Sequence, residues 1–313
     1  MTVTAPSAAT GAPGVPAAGP PRPPAHRAPP GPRRGRRRRG LRRRLLLGAA
    51  ATVVVLASVF PVYWMVTTSF LPTVDITAPT PTFHPFGGTL DHYREVFTRG
   101  AFLTSLRNSL VVTLSVVALA LVLACLAAVA VARLEFRGRR PVLLAVVIVQ
   151  MVPAEALVVS LFRVLDGWQL VNTILGLVLV YLVFVLPFTI YTLRGFVAGV
   201  PIELEEAAMV DGCSRLRAFL SVTFPLMAPG LVATGVFGFI QAWNEFTFAL
   251  VLLNRPESQT LPLWLQSFNE GARGTDWGGV MAGSTLMAVP VIVFFLLVQS
   301  RIGDGLAAGA VKG

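Results

Sequence analysis

The stretch Pro201–Pro225 reads P-I-E-L-E-E-A-A-M-V-D-G-C-S-R-L-R-A-F-L-S-V-T-F-P, and long apolar runs flank it on both sides. It holds four of the fifteen acidic residues of the chain, Glu203, Glu205, Glu206 and Asp211. A connector between two spans needs only a short turn. Pro201 suits a first helical turn, where its missing N–H would have had no partner. The three glutamates follow directly, where the helix dipole favours negative charge. Gly212 stands where a helix stop is expected. The pattern predicts a helix over about Ile202–Asp211, a turn, and a second amphipathic piece, Leu216–Phe224, ending at Pro225. Ala207 and Ala208 are small enough to let a partner approach the backbone. Glu206 and Val210 stack at i, i+4 on one face. A helix lying on lipid is the plainer alternative, but three carboxylates in one turn repel anionic headgroups. The stretch therefore reads as a docking element for a soluble partner.

The apolar runs around it set the class. The 313 residues are 54% hydrophobic and 13% charged, with mean hydropathy +0.70. Soluble domains carry about 25% charged residues, so the composition is that of an all-α, polytopic membrane protein. Six spans are predicted, at about 45–70, 104–132, 141–165, 170–193, 227–253 and 279–300. Each is long enough to cross a hydrocarbon core of ~30 Å at ~1.5 Å per residue. The first run is too long for the apolar core of a cleaved leader and reads as an uncleaved span. Residues 1–32 are rich in Pro, Ala and Gly and are expected to be disordered. With the Arg tract that follows they form a tail, 1–44, ahead of a six-span domain, 45–313. The loop at 71–103 ends in an amphipathic piece, Leu90–Phe97.

The net charge of +11 raises nucleic acid as a partner. Nine of the 26 basic residues, however, fall within Arg33–Arg44, directly before the first span, where topogenic charge is expected. Placing the N-terminus inside leaves only Arg94, Arg99, Arg107, Arg163, Arg255 and Arg273 outside. Both termini and the 201–225 stretch are then cytoplasmic, in a multi-pass protein of the cell (inner) membrane. No nucleic-acid partner is expected.

At the polar stretch the spacing resembles a known family. Glu206-Ala207-Ala208, three residues, Gly212, nine residues, then Val222-Thr223-Phe224-Pro225 is similar to the "EAA" signature of ABC importer permeases, Glu-Ala-Ala, three residues, Gly, nine residues, Ile-x-Leu-Pro. The departures, Val222 and Phe224, keep apolar character. Further features resemble the maltose-type (MalG-like) carbohydrate permeases. They are Asn108-Ser109, Pro201, Trp243-Asn244-Glu245-Phe246, Leu261-Pro262-Leu263 and the terminal Gly305–Gly313. The resemblance runs from about residue 45 to the end. It implies a type I ABC importer permease fold with a cytoplasmic coupling helix between spans 4 and 5. It also implies ATPase-coupling roles for Glu203, Glu206, Ala207, Ala208, Asp211, Gly212 and Pro225. The implied partners are a second permease subunit, two ATPase subunits and an extracytoplasmic solute-binding protein, with a sugar or oligosaccharide as cargo. A polyol or glycerol phosphate carried by the same machinery stays open.

The chain has one lysine, Lys312, followed by the final Gly313. A phosphate-binding Gly-x-x-x-x-Gly-Lys-Ser/Thr loop cannot be built from it. ATP therefore belongs on a partner subunit, and no cofactor is expected on this chain. Polar groups inside spans are functional candidates because lipid exposure is costly. Gln241, Asn244 and Glu245 share one helical face in the fifth span, near Trp243, Phe246 and Phe248, and Glu155 follows Pro153 in the third. These four polar residues are candidates for a translocation path; the plainer reading is that they hold neighbouring helices together. Pro153, Pro187 and Pro290 mark candidate kinks. His84, His92 and Asp91 lack metal-ligand spacing, no catalytic triad assembles, and Cys125 and Cys213 are too far apart in pattern to pair. Two other classes stay open: an intramembrane enzyme using Glu155 and Glu245 as paired carboxylates, and a binder of nucleic acid or anionic lipid acting through the Arg tract.

Overall fold

The computed structural model describes residues 34–84, 86–98, 100–269, 271 and 274–310, with side chains described between residues 44 and 299. Of the disordered tail expected over 1–44, residues 34–44 instead begin α1, where the Arg tract runs on into the apolar helix; residues 1–33 and the last three residues of the terminal Gly305–Gly313 motif lie outside the described residues. In chain order the helices are α1 (Arg34–Phe70), α2 (Thr73–Ile76), α3 (Asp91–Thr98), α4 (Phe102–Arg133), α5 (Arg139–Gln150), α6 (Val158–Gly167) and α7 (Ile174–Gly199). They continue with α8 (Ile202–Val210), α9 (Arg215–Ala218), α10 (Phe224–Leu226), α11 (Ala228–Trp243), α12 (Thr247–Leu252), α13 (Leu261–Leu265) and α14 (Trp277–Ala310). The described strand-like pairing is one isolated bridge, Asn269 with Thr275.

Contacts divide the chain after Ala57. In the first unit, residues 44–57 of α1 are exposed on every side, as expected of a helix whose surroundings are lipid. Four helices are long and apolar enough to cross a membrane: Arg44–Phe70, Phe102–Arg133, Ile174–Gly199 and Trp277–Gln299. Two bent pairs raise the count to six if each is one span.

The bent pairs are where the structure departs from the expected spans. The third, expected to be continuous over 141–165, is α5, a 3₁₀ turn at Ala154–Leu157 and α6, bent by 95°. Pro153 opens that turn. Its ring restricts Val152 and removes an N–H from the ladder, so a helix arriving at Gln150 stops there. Pro187 and Pro290 instead sit inside continuous helices. The fifth span, expected over 227–253, begins at a 68° bend between Leu226 and Ala228 and breaks again after Trp243.

The core of the second unit is built on four-residue repeats. On α4, Val112, Val116, Ala120, Ala124 and Ala128 are all buried, as are Leu177, Tyr181, Val185, Thr189, Leu193 and Val197 on α7. Side chains at i and i+4 form a continuous ridge, and these two helices make the most extensive pairing in the unit. Alanine along α4 permits close approach, as small residues do between membrane helices. α11 lies against both through Gly230, Thr234, Gly238 and Ala242, again four apart. A Cβ at Gly238 would meet Val185 at 3.1 Å, which explains the missing side chain.

At the end of the bundle away from α8, side chains fasten the loops. Asn108 Nδ2 donates to the carbonyls of Glu257 (2.8 Å) and Gln259 (3.0 Å), and Ser109 Oγ accepts from Leu261 N at 2.7 Å. Asn172, with φ +62°, accepts from the N–H groups of Asn254 and Arg255. The expected amphipathic piece is α3; its buried His92 is hydrogen-bonded through Nε2 to Leu71 O at 3.0 Å. His92 is thus a core residue.

Candidate docking helix and intramembrane cavity

The acidic stretch folds as a nine-residue helix, α8, with Pro201 as its N-cap and Asp211 as its C-cap. Gly212 terminates it at φ +92°, a left-handed conformation that favours glycine. Gly212 N donates to Met209 O and Cys213 N to Ala208 O, both at 3.0 Å. That bond pattern is a Schellman motif, and it satisfies carbonyls the helix end would leave free. Ser214 then caps α9 by accepting from Arg217 N at 3.3 Å.

No residue of α8 is fully buried. Glu203, Glu206, Ala207, Asp211, Gly212 and Pro225 are exposed, Ala208 is half-buried, and Val210 is 87% exposed. The expected second amphipathic piece is less regular. α9 runs into a π-helical turn, Phe219–Thr223, and then into α10.

Glu205 behaves differently from its neighbours. Its Oε1 accepts from Arg133 Nε (2.9 Å) and Thr223 Oγ1 (2.5 Å), and lies 2.8 Å from Arg133 Nη2 in an ion pair. The Arg133 and Glu205 side chains are only 14% and 16% exposed. No local pattern in the sequence signals this contact, because Arg133 lies 72 residues away.

The second feature is a cavity of about 640 Å³, walled by the α5–α6 break, α7, α11 and the start of α12. Glu155, Gln241, Asn244 and Glu245 all line it, together with Gln150 and the aromatic rings of Phe184, Phe188, Phe237, Phe246 and Phe248. The volume falls in the range that encloses a small ligand. Amide and carboxyl groups beside aromatic faces can meet both the hydroxyls and the apolar C–H faces of a polyhydroxylated molecule.

The four polar residues reach the cavity by another route than the one expected. α11 ends at Trp243, so Gln241, Asn244 and Glu245 do not share a continuous helical face. Asn244 is the C-cap and its Nδ2 bonds back to Ile240 O at 2.9 Å. Glu245 sits in the break. Its carboxylate accepts from Phe248 N (2.8 Å) and Ala249 N (3.2 Å), at the N-terminus of α12, and from Tyr181 OH (2.5 Å). A carboxylate there meets both unpaired N–H groups and the helix dipole. Glu245 thus caps a helix and fastens it to α7, which the plainer reading of intramembrane polar groups anticipated. Trp243 faces the core, stacked on Phe239 at 5.6 Å, and is 1% exposed.

Residues 120–308 match the family described as "Binding-protein-dependent transport system inner membrane component". The chain is similar to the diacetylchitobiose uptake system permease protein DasC of Streptomyces coelicolor, at 46% identity over 261 residues, covering 83% of this chain and 94% of the relative. It is also 38% identical to the trehalose transport system permease protein SugB of Mycobacterium tuberculosis, over 83% of this chain and 95% of that one. A subunit in the crystal structure of a bacterial ABC transporter involved in alginate import superposes with TM-score 0.71 at 22% identity, covering 87% of this chain and 99% of that chain. At that identity the likeness speaks for the fold.

Proposed function

This chain belongs to the family of binding-protein-dependent transport system inner membrane components, and from that premise we propose that it carries sugars or short oligosaccharides across the cell membrane as one subunit of an ATP-driven importer. It is a multi-pass inner-membrane protein and a transport permease, not an enzyme. ATP hydrolysis falls to separate subunits. A solute-binding protein outside the membrane delivers the cargo, and a second permease chain completes the path. Both termini and α8 face the cytoplasm in this reading, which the distribution of basic residues supports.

The observation that carries the reading is the exposed acidic helix α8, ended by Gly212 and holding Glu206 and Ala207 outward beside a half-buried Ala208. It offers a compact ridge, acidic and apolar by turns, to a groove on an ATPase subunit. Closure of two ATPase subunits on ATP would draw such helices together and rock the spans between inward- and outward-facing states. The cavity lined by Gln150, Glu155, Gln241 and Asn244 and by aromatic rings is the candidate path. The names of the relatives support a di- or oligosaccharide as cargo, and diacetylchitobiose is the first probe to use.

The test is uptake of radiolabelled diacetylchitobiose, trehalose and glycerol phosphate by cells with and without the gene. ATP-dependent, saturable uptake of one of the saccharides, lost on deletion, is the expected result. Uptake of glycerol phosphate alone would move the cargo to the polyol phosphate class. Uptake of all three probes unchanged by deletion would refute the transport reading for these solutes.

A further inference from the structure

Resting on that reading, we propose that Arg133, Glu205 and Thr223 form a largely shielded tie that passes the motion of the docking helix to the spans, so that Glu205 acts as a positioning residue turned away from the partner. Adjacent residues on a helix point about 100° apart. Glu206 is exposed, while Glu205 turns into the protein. One acidic pair is thereby divided between two tasks.

The tie joins four parts of the chain. Arg133 is the last residue of α4, and its guanidinium meets Glu205 through Nε and Nη2. The same Nη2 also donates to Val200 O at 2.9 Å, at the junction of α7 and α8. Thr223, fully buried, closes the π-helical turn that leads into α10 and α11, and donates to the same Glu205 oxygen. π-helical turns occur often at functional sites, where they aim a side chain that a regular helix would misplace. One carboxylate oxygen thus receives donors from α4 and from the base of α11.

Apart from the tie, α8 meets the bundle through its packing on α9 and the π-helical turn and through two backbone joints, Val200–Pro201 and Gly212–Ser214. Loop joints can absorb displacement. With the tie, a push on α8 moves the end of α4, which packs along the whole of α7, and the base of α11, whose far end lines the cavity. A half-buried Arg–carboxylate pair is suited to this work, because leaving either partner alone is costly and both guanidinium contacts converge on one carboxylate oxygen.

The test uses the complete complex, with both permease chains and the ATPase subunits, in lipid vesicles. Gln241→Cys, with Cys125 and Cys213 replaced by Ser, reports the cavity state through ATP-driven change in labelling by a polar maleimide. Glu205→Gln is expected to keep the ATPase subunits bound and ATP hydrolysed, while the ATP-driven labelling change falls about tenfold. Thr223→Val is expected to lie between that variant and the parent. Arg133→Met with Glu205→Gln is expected to be no worse than Arg133→Met alone, as for two residues acting through one contact. A Glu205→Gln complex that responds like the parent would overturn the proposal. So would loss of the ATPase subunits, which would move Glu205 to the docking face, or losses in the double variant that simply add. A parent complex showing no ATP-driven change would refute the transport reading itself.

Discussion

Replacing Glu245 separates its duty as a helix cap from direct contact with cargo. Its carboxylate accepts from two backbone N–H groups of α12 and from Tyr181 OH. Hydrogen bonds to a charged group contribute about 1.5–3 kcal/mol each. They share one side chain, and water in the adjoining cavity can take over part of the work, so their sum overstates the loss. Glu245→Ala is expected to cost about 2–4 kcal/mol, below the sum of the three bonds. Glu245→Gln keeps an acceptor for one N–H and is expected to cost about half as much. For a domain of this size about 1 kcal/mol shifts Tm by 2–4 °C, so the Ala variant should melt roughly 10 °C below the parent. The assay is thermal unfolding of the purified protein in detergent, read beside the apparent KM for uptake. The reasoning is refuted if Glu245→Ala melts with the parent while KM rises, because the carboxylate would then be serving cargo.

Two further outcomes follow from the backbone. Gly212→Val forces a β-branched residue to φ +92° and should cost about 1–2 kcal/mol at the end of α8, whereas Gly212→Asn should retain most uptake; equal uptake by the two variants would contradict the Schellman reading. Gly278→Ala would place a Cβ 2.1–2.4 Å from the buried His92 ring, and melting should show about 1–3 kcal/mol of lost stability. Parental stability of that variant would mean that α3 and α14 pack more loosely than they are drawn.

The four continuous apolar helices and α8 were legible because both rest on local pattern. Apolar runs of sufficient length define the first; a proline, an acidic turn and a glycine define the second. The breaks were harder to see. Pro153 was visible as a kink, but a gently kinked span and a 95° bend have the same sequence signature. The break at Asn244–Phe246 carries neither proline nor glycine. It is held by Glu245 capping the next helix, a contact that a helical periodicity drawn through residue 253 does not show. Gln241, Asn244, Glu245 and Glu155 do come to one cavity, yet the aromatic residues Phe184, Phe188 and Phe237 that complete its wall come from α7 and α11 and read in sequence as ordinary apolar positions. Glu205 was legible as part of an acidic turn and not as the inward member of it. Its partner lies at the end of another span, and helical spacing alone does not say which of two adjacent glutamates faces home.

The central claim is that α8 is the surface on which an ATPase subunit docks, and co-purification tests it most directly. The tagged permease is isolated from membranes with its ATPase subunit, for the parent and for Glu206→Lys, with total permease in the membrane measured alongside. The account predicts that Glu206→Lys reaches the membrane at the parental level but brings down little ATPase and supports little uptake. ATPase recovery and uptake both equal to the parent would contradict it.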